Sequence, residues 1–233
     1  MTASKPPHSS APIATAEVTI PPLGLRGILR WPDNPAGLVI FAHGSGSSRL
    51  SPRNNHVAEA LSAAGLATLL FDLLSPAEEA DRANVFDIPV LAGRLTGVID
   101  WSGGIAEMAN LPLGLFGAST GSAAALIAAA ERPDRIAAIV SRGGRPDLAR
   151  DALPAVRAPT LLIVGGADGE VVTLNEAAAA RLGDRARMVV VPGATHLFPE
   201  PGTLDAVVAA ARDWFLGHLA GPAIGRKGRD NAV

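Results

Sequence analysis

From Pro112 to Ala130 the chain reads PLGLFGASTGSAAALIAAA: an apolar run, a Gly-x-Ser-x-Gly step at Gly117, Ser119 and Gly121, then a segment dominated by alanine. Few folds accommodate this order. The apolar run has strand length, and alanine is the strongest helix former, so strand must become helix within the five residues from Gly117 to Gly121. Glycine on both sides of the serine lets the two elements approach closely, and leaves the hydroxyl clear of the sheet beside the unpaired N–H groups of a helix N-terminus. The competing reading is a glycine-rich turn that only packs tightly.

The rest of the chain repeats the alternation. Apolar runs at 38–42, 66–71, 113–116, 135–140, 159–164 and 187–191 read as strands, and those at 38–42, 66–71 and 159–164 read as buried ones. Helical spacing recurs over 55–64, 88–108, after Ser119, over 174–182 and over 203–218. Residues 17–30 read as two short edge strands, 75–87 as an exposed loop and 147–153 as a short helical turn. The expected fold class is α/β: one domain over 16–219 with a mostly parallel sheet of about eight strands, helices on both faces and no large cap domain. Residues 1–15 and 220–233 lack periodicity and are expected to be tails.

Composition narrows the chemistry. A net charge of −2 gives no basic footprint for nucleic acid, and the absence of cysteine excludes disulfides, thiolate metal sites and a cysteine nucleophile. No cofactor or metal is expected. No stretch holds the 18 or so uninterrupted apolar residues of a membrane span, so the expectation is a soluble, cytoplasmic protein, monomeric or homodimeric, without membrane partners.

In open α/β sheets, sites form at the carboxyl ends of strands. Ser119, Asp168 and His196 each directly follow a predicted strand and occur in the chain order of a nucleophile, acid and base set. Ser119 would attack, His196 would take and return its proton, and Asp168 would hold the imidazole. The competing acids are Glu170 and Glu200. The backbone N–H groups of Ser45 and Thr120 are the candidate oxyanion donors, Ser45 lying in the glycine-rich loop that opens with His43. His43 is expected to hold that loop, and His56 and His218 to serve packing or surface roles. Arg49, Arg53 and Arg142 are candidate substrate-binding residues, set against surface or loop-brace roles.

The strings Phe41-Ala-His-Gly-Ser-Gly-Ser-Ser-Arg-Leu-Ser-Pro-Arg-Asn54, Gly117-Ala-Ser-Thr-Gly121, Ser141-Arg-Gly-Gly-Arg-Pro-Asp147 and Pro192-Gly-Ala-Thr-His-Leu-Phe198 resemble the α/β-hydrolase superfamily. Over residues 17–219 the chain is similar to its dienelactone-hydrolase-like small serine hydrolases, including modules fused to phosphoribosyltransferase domains. The resemblance implies an esterase acting on small carboxylic esters, with lactones as further candidates, through an acyl-enzyme and water. Dienelactone hydrolases proper carry a cysteine where this chain has Ser119, so the enol-lactone substrate does not carry over with the fold. Thioesterase or acyltransferase activity would use the same residues, and a catalytically silent binding module on the same fold is the alternative from another class.

Overall fold

Strands β3 (Leu38–Ala42), β4 (Ala67–Phe71), β5 (Leu113–Ala118), β6 (Ile136–Arg142) and β7 (Thr160–Gly165) are apolar along nearly their whole length because both sheet faces are covered. The computed structural model describes residues 13–220. With β1 (Ala14–Ile20), β2 (Leu25–Trp31) and β8 (Ala186–Val191) these strands form one sheet in the order β1-β2-β4-β3-β5-β6-β7-β8. Strands β3 to β8 are mutually parallel, while β1 and β2 run antiparallel at one edge. The tails expected at 1–15 and 220–233 lie outside the described residues, apart from the few that adjoin β1 and the last helix; Ala14 already pairs with Trp31.

Successive side chains of β3 enter opposite cores, as the period of two requires. Leu38, Ile40 and Ala42 pack with α4 (Ile88–Gly103), α6 (Thr120–Glu131) and α7 (Gly169–Leu182). Val39 and Phe41 pack with α1 (Pro52–Ala63) and α8 (Thr203–Leu219), where Phe41 stacks on Phe116 at 4.7 Å. Burying one such ring stabilises the fold by about 2–3 kcal/mol.

The differences from the sequence expectations have local causes. The 75–87 stretch contains two short helices, α2 (Pro76–Glu79) and α3 (Arg82–Val85), because Ser75 and Glu78 form a reciprocal capping box and Asp81 caps the next turn. The helix expected over 88–108 breaks at Gly103-Gly104, with α5 (Ala106–Ala109) after the break. Helix α1 starts earlier than expected, at Pro52, because Ser51 accepts the Asn54 N–H and proline suits the first helical turn.

The order of strands places the site. From β3 the chain moves outward to β4, then returns past β3 to β5, so the loops after β3 and β5 diverge and leave a crevice between them. Ser119 sits there at φ 51° and ψ −123°, a strained conformation for a residue with a side chain. Helix α6 comes so close to β3 that a Cβ on Gly121 would lie 2.2 Å from the carbonyl oxygen of Ala42. Gly121→Ala is therefore expected to destabilise the fold by about 3 kcal/mol or more. Gly97→Ala, at an exposed position of α4 where a Cβ meets nothing within 4 Å, should stabilise it by about 0.5–1 kcal/mol. Thermal denaturation of the two variants checks both signs.

Candidate active site

Three loops bring Ser119, His196 and Asp168 together. Ser119 follows β5, Asp168 follows β7 at the start of α7, and His196 follows β8. The Ser119 hydroxyl lies 3.3 Å from His196 Nε2, and His196 Nδ1 lies 2.8 Å from Asp168 Oδ2. With Nδ1–H donating to the carboxylate, Nε2 is left to accept the serine proton. The backbone locks the last two loops to one another, since Ala167 N–H donates to the Ala194 carbonyl at 2.9 Å.

The competing acids are placed elsewhere. Glu200 accepts both the Thr195 N–H, at 3.1 Å, and the Thr195 hydroxyl, at 2.6 Å, so it braces the histidine loop, and the hydroxyl bond holds its carboxyl below the usual carboxylate range. Asp168, not Glu170, meets the imidazole. His56 faces Asp205 on the surface, and His218 lies against the Trp214 carbonyl on α8.

The loop after β3 passes directly under the serine: a Cβ on Gly44 would sit 2.9 Å from the Cβ of Ser119. Ser45 N–H donates to the Thr120 hydroxyl oxygen at 2.9 Å, so this candidate oxyanion donor is already engaged by the side chain beside the other one. Thr120 is the first residue of α6, where the backbone N–H has no partner within the helix. His43 anchors the loop from beneath. Its Nε2 accepts the Leu73 N–H at 3.1 Å and its Nδ1 faces the Gly44 carbonyl at 3.0 Å, which fixes a neutral ring, and burial pushes its pKa down.

Ser119 and His196 open onto a cleft of about 700 Å³, with the exposed Leu50 and Leu197 also lining it. The three candidate arginines separate. Arg49 does not line the cleft: its backbone N–H and guanidinium both bind Asp72, so it braces the loop instead of facing a substrate. Arg53 and Arg142 do line it, and Arg142 donates to Asn54 Oδ1 at 3.0 Å. Asn54, Asp72 and Glu79, which also lines the cleft, escaped sequence reading because nothing in their local pattern distinguishes them from ordinary helix and loop polar residues.

A doubly covered, mostly parallel sheet with a serine at a strained strand-to-helix corner and a histidine within reach defines the class of α/β hydrolases. The chain belongs to that family: the profile of the alpha/beta hydrolase domain matches residues 35–209. It is similar to a dienelactone hydrolase from Anabaena variabilis, with 52% identity and a TM-score of 0.85 over 90% of this chain and 99% of that one. It is also 57% identical, over 88% of its length, to a Mycobacterium tuberculosis protein named provisionally as a phosphoribosyl transferase. The chain spans 46% of that protein, about half the length of the curated relative it matches. Carboxyl esterase 2 of Tuber melanosporum shares the fold, at 17% identity and a TM-score of 0.69 over 89% of this chain and 88% of that one. Among the described residues no helix is long and apolar enough to cross a membrane.

The half-buried His43 gives a pH test. Its folded pKa lies below the ordinary 6.5, so the stability it contributes as a neutral ring is fully present above that value and is lost as the pH falls through the window beneath it. His43→Gln should melt below the wild type at neutral pH, and the gap should narrow towards about pH 5. Melting curves of both proteins across that range read the effect.

Proposed function

We propose that the protein is a serine hydrolase that cleaves small carboxylic esters through an acyl-enzyme. The observation that carries this reading is the continuous chain from Ser119 through His196 to Asp168, with contacts of 3.3 and 2.8 Å. Ser119 Oγ attacks the ester carbonyl carbon while His196 Nε2 takes its proton, and Asp168 stabilises the imidazolium. Collapse of the tetrahedral intermediate breaks the bond to the alcohol oxygen, which leaves with the proton from His196. Water then repeats the sequence on the acyl-enzyme, releasing the acid and restoring Ser119.

The negative oxygen of the intermediate is directed at the N-terminus of α6, where the Thr120 N–H and the helix dipole favour it. Because the Thr120 hydroxyl oxygen accepts from Ser45 N–H, its own hydrogen can turn to the oxyanion. In this reading the Ser45 N–H, spent on that hydroxyl, acts on the oxyanion through Thr120 and not directly. Similarity to a dienelactone hydrolase supports small esters or lactones, and the open cleft suits them. A thioester or an acyl acceptor other than water would enter by the same steps. The phosphoribosyl transferase name belongs to a protein about twice this length, whereas a hydroxyl nucleophile with an imidazole base is built for acyl transfer.

The test is hydrolysis of 4-nitrophenyl butyrate, with intact mass after a fluorophosphonate. Wild type should turn over and gain one adduct; Ser119→Ala should lose the adduct and about 10³-fold or more in kcat. Turnover that survives in Ser119→Ala would overturn the reading. Thr120→Val should lower kcat by about 10²-fold with little change in KM, and Thr120→Ser should retain most of the rate.

A further inference from the structure

Several partly buried arginines of the fold are neutralised. Arg30 meets Glu59, Arg49 meets Asp72, Arg94 meets Glu78 and Arg145 meets Asp147. Arg142 is different. It is 6% exposed, its one side-chain hydrogen bond goes to the neutral amide oxygen of Asn54, and no carboxylate among the described residues pairs with it. Arg53 lines the same cleft, also without a paired carboxylate. Burial first, and then the charge of Arg53, bring the Arg142 pKa down to about 10, so Arg142 remains cationic at neutral pH.

Burying a guanidinium without a counter-charge is costly, and a brace for a loop would be cheaper as a neutral or paired side chain. The position of this charge is informative. Arg142 ends β6 and its carbonyl accepts the Ser119 N–H at 3.2 Å, so the guanidinium is anchored one strand from the nucleophile. Arg53 and Arg142 share the lining of the cleft with Ser119 and His196, and the carboxylate in that lining, Glu79, also lies with Arg82 beside Ser45 and Gly46. The volume of the cleft leaves room for an acyl chain of several carbons.

We propose that this cleft selects esters carrying a second, anionic oxygen group, a carboxylate or a phosphate, which Arg142 and Arg53 bind while Ser119 reaches the ester carbonyl. Asn54 is a positioning residue that fixes the Arg142 fork. The proposal names the substrate class of the serine hydrolase reading and rests on it for turnover, but the anion site can be measured without turnover.

Three esters of one length separate the possibilities: the mono-4-nitrophenyl ester of adipic acid, its phosphonate counterpart, and its methyl-capped neutral form. Wild type should prefer at least one anionic ester over the neutral one by about tenfold or more in kcat/KM, the range of a charge-assisted pair of hydrogen bonds. Arg142→Gln and Arg53→Gln should each remove most of that preference, lowering kcat/KM for the anionic ester by a larger factor than for the neutral one. Arg142→Lys should keep part of it. The ester that is preferred identifies carboxylate or phosphate as the group recognised.

Calorimetric titration of the wild type with adipate and with inorganic phosphate reads the site directly. Saturable binding that both arginine variants lose supports the proposal even if no ester is turned over, an outcome that would instead count against the serine hydrolase reading. Equal rates on all three esters with no binding of either anion would overturn it. So would variants that stay folded and lose the same factor on every ester, since that is the behaviour of a brace. Should Arg142→Gln fail to fold, Arg53→Gln, at a half-buried position, carries the same comparison.

Discussion

The site depends on one close approach, that of helix α6 to the end of β3. Only glycine at position 121 allows it, because the carbonyl oxygen of Ala42 occupies the place of a side chain. From this contact follow the sharp corner at Ser119, the alignment of the α6 N-terminus with the serine, and the passage of the loop from His43 to Ser48 beneath both. The backbone strain at Ser119 is held in place by packing on every side, with Phe116 and Ala118 buried in one core and the alanines of α6 in the other.

Around that corner the loops are tied to one another more than to solvent. Ser119 N–H reaches the carbonyl of Arg142, Gly143 N–H that of Ile163, and Ala167 N–H that of Ala194, so successive strand ends are stitched in order along the carboxyl edge. Side chains complete the lattice: His43 holds Leu73, Asp72 holds Arg49, and Glu200 holds Thr195. Ser119, His196 and Asp168, drawn from three loops, thus sit on a closely tied frame, the kind of fixed geometry that the proposed catalysis would need.

Charge is distributed unevenly in that frame. Other partly buried arginines, Arg30, Arg49, Arg94 and Arg145, are paired with carboxylates, whereas Arg53 and Arg142 line the cleft without one. An α/β hydrolase site of this shape needs no such charge for acyl transfer itself. These two cleft-lining arginines are what the proposed selectivity for anionic esters rests on.

Much of this was legible in the sequence, and the reason is that the signals were local. Apolar runs of strand length, the Gly-x-Ser-x-Gly step and the alanine run after it report backbone preferences that act within a few residues, and they determined the sheet, the corner and the order of Ser119, Asp168 and His196. Helix ends were less legible, because the caps at Ser51 and Ser75 and the break at Gly103-Gly104 compete with periodicity over single turns. What only the tertiary structure decided is which polar groups meet. Arg49 and Arg142 look alike in the sequence, yet one finds Asp72 across 23 residues and the other finds only Asn54 across 88. In the same way Ser45 meets the Thr120 hydroxyl across 75 residues. Such pairings depend on how strands are ordered in the sheet, a property of the packed whole that no short window of sequence contains.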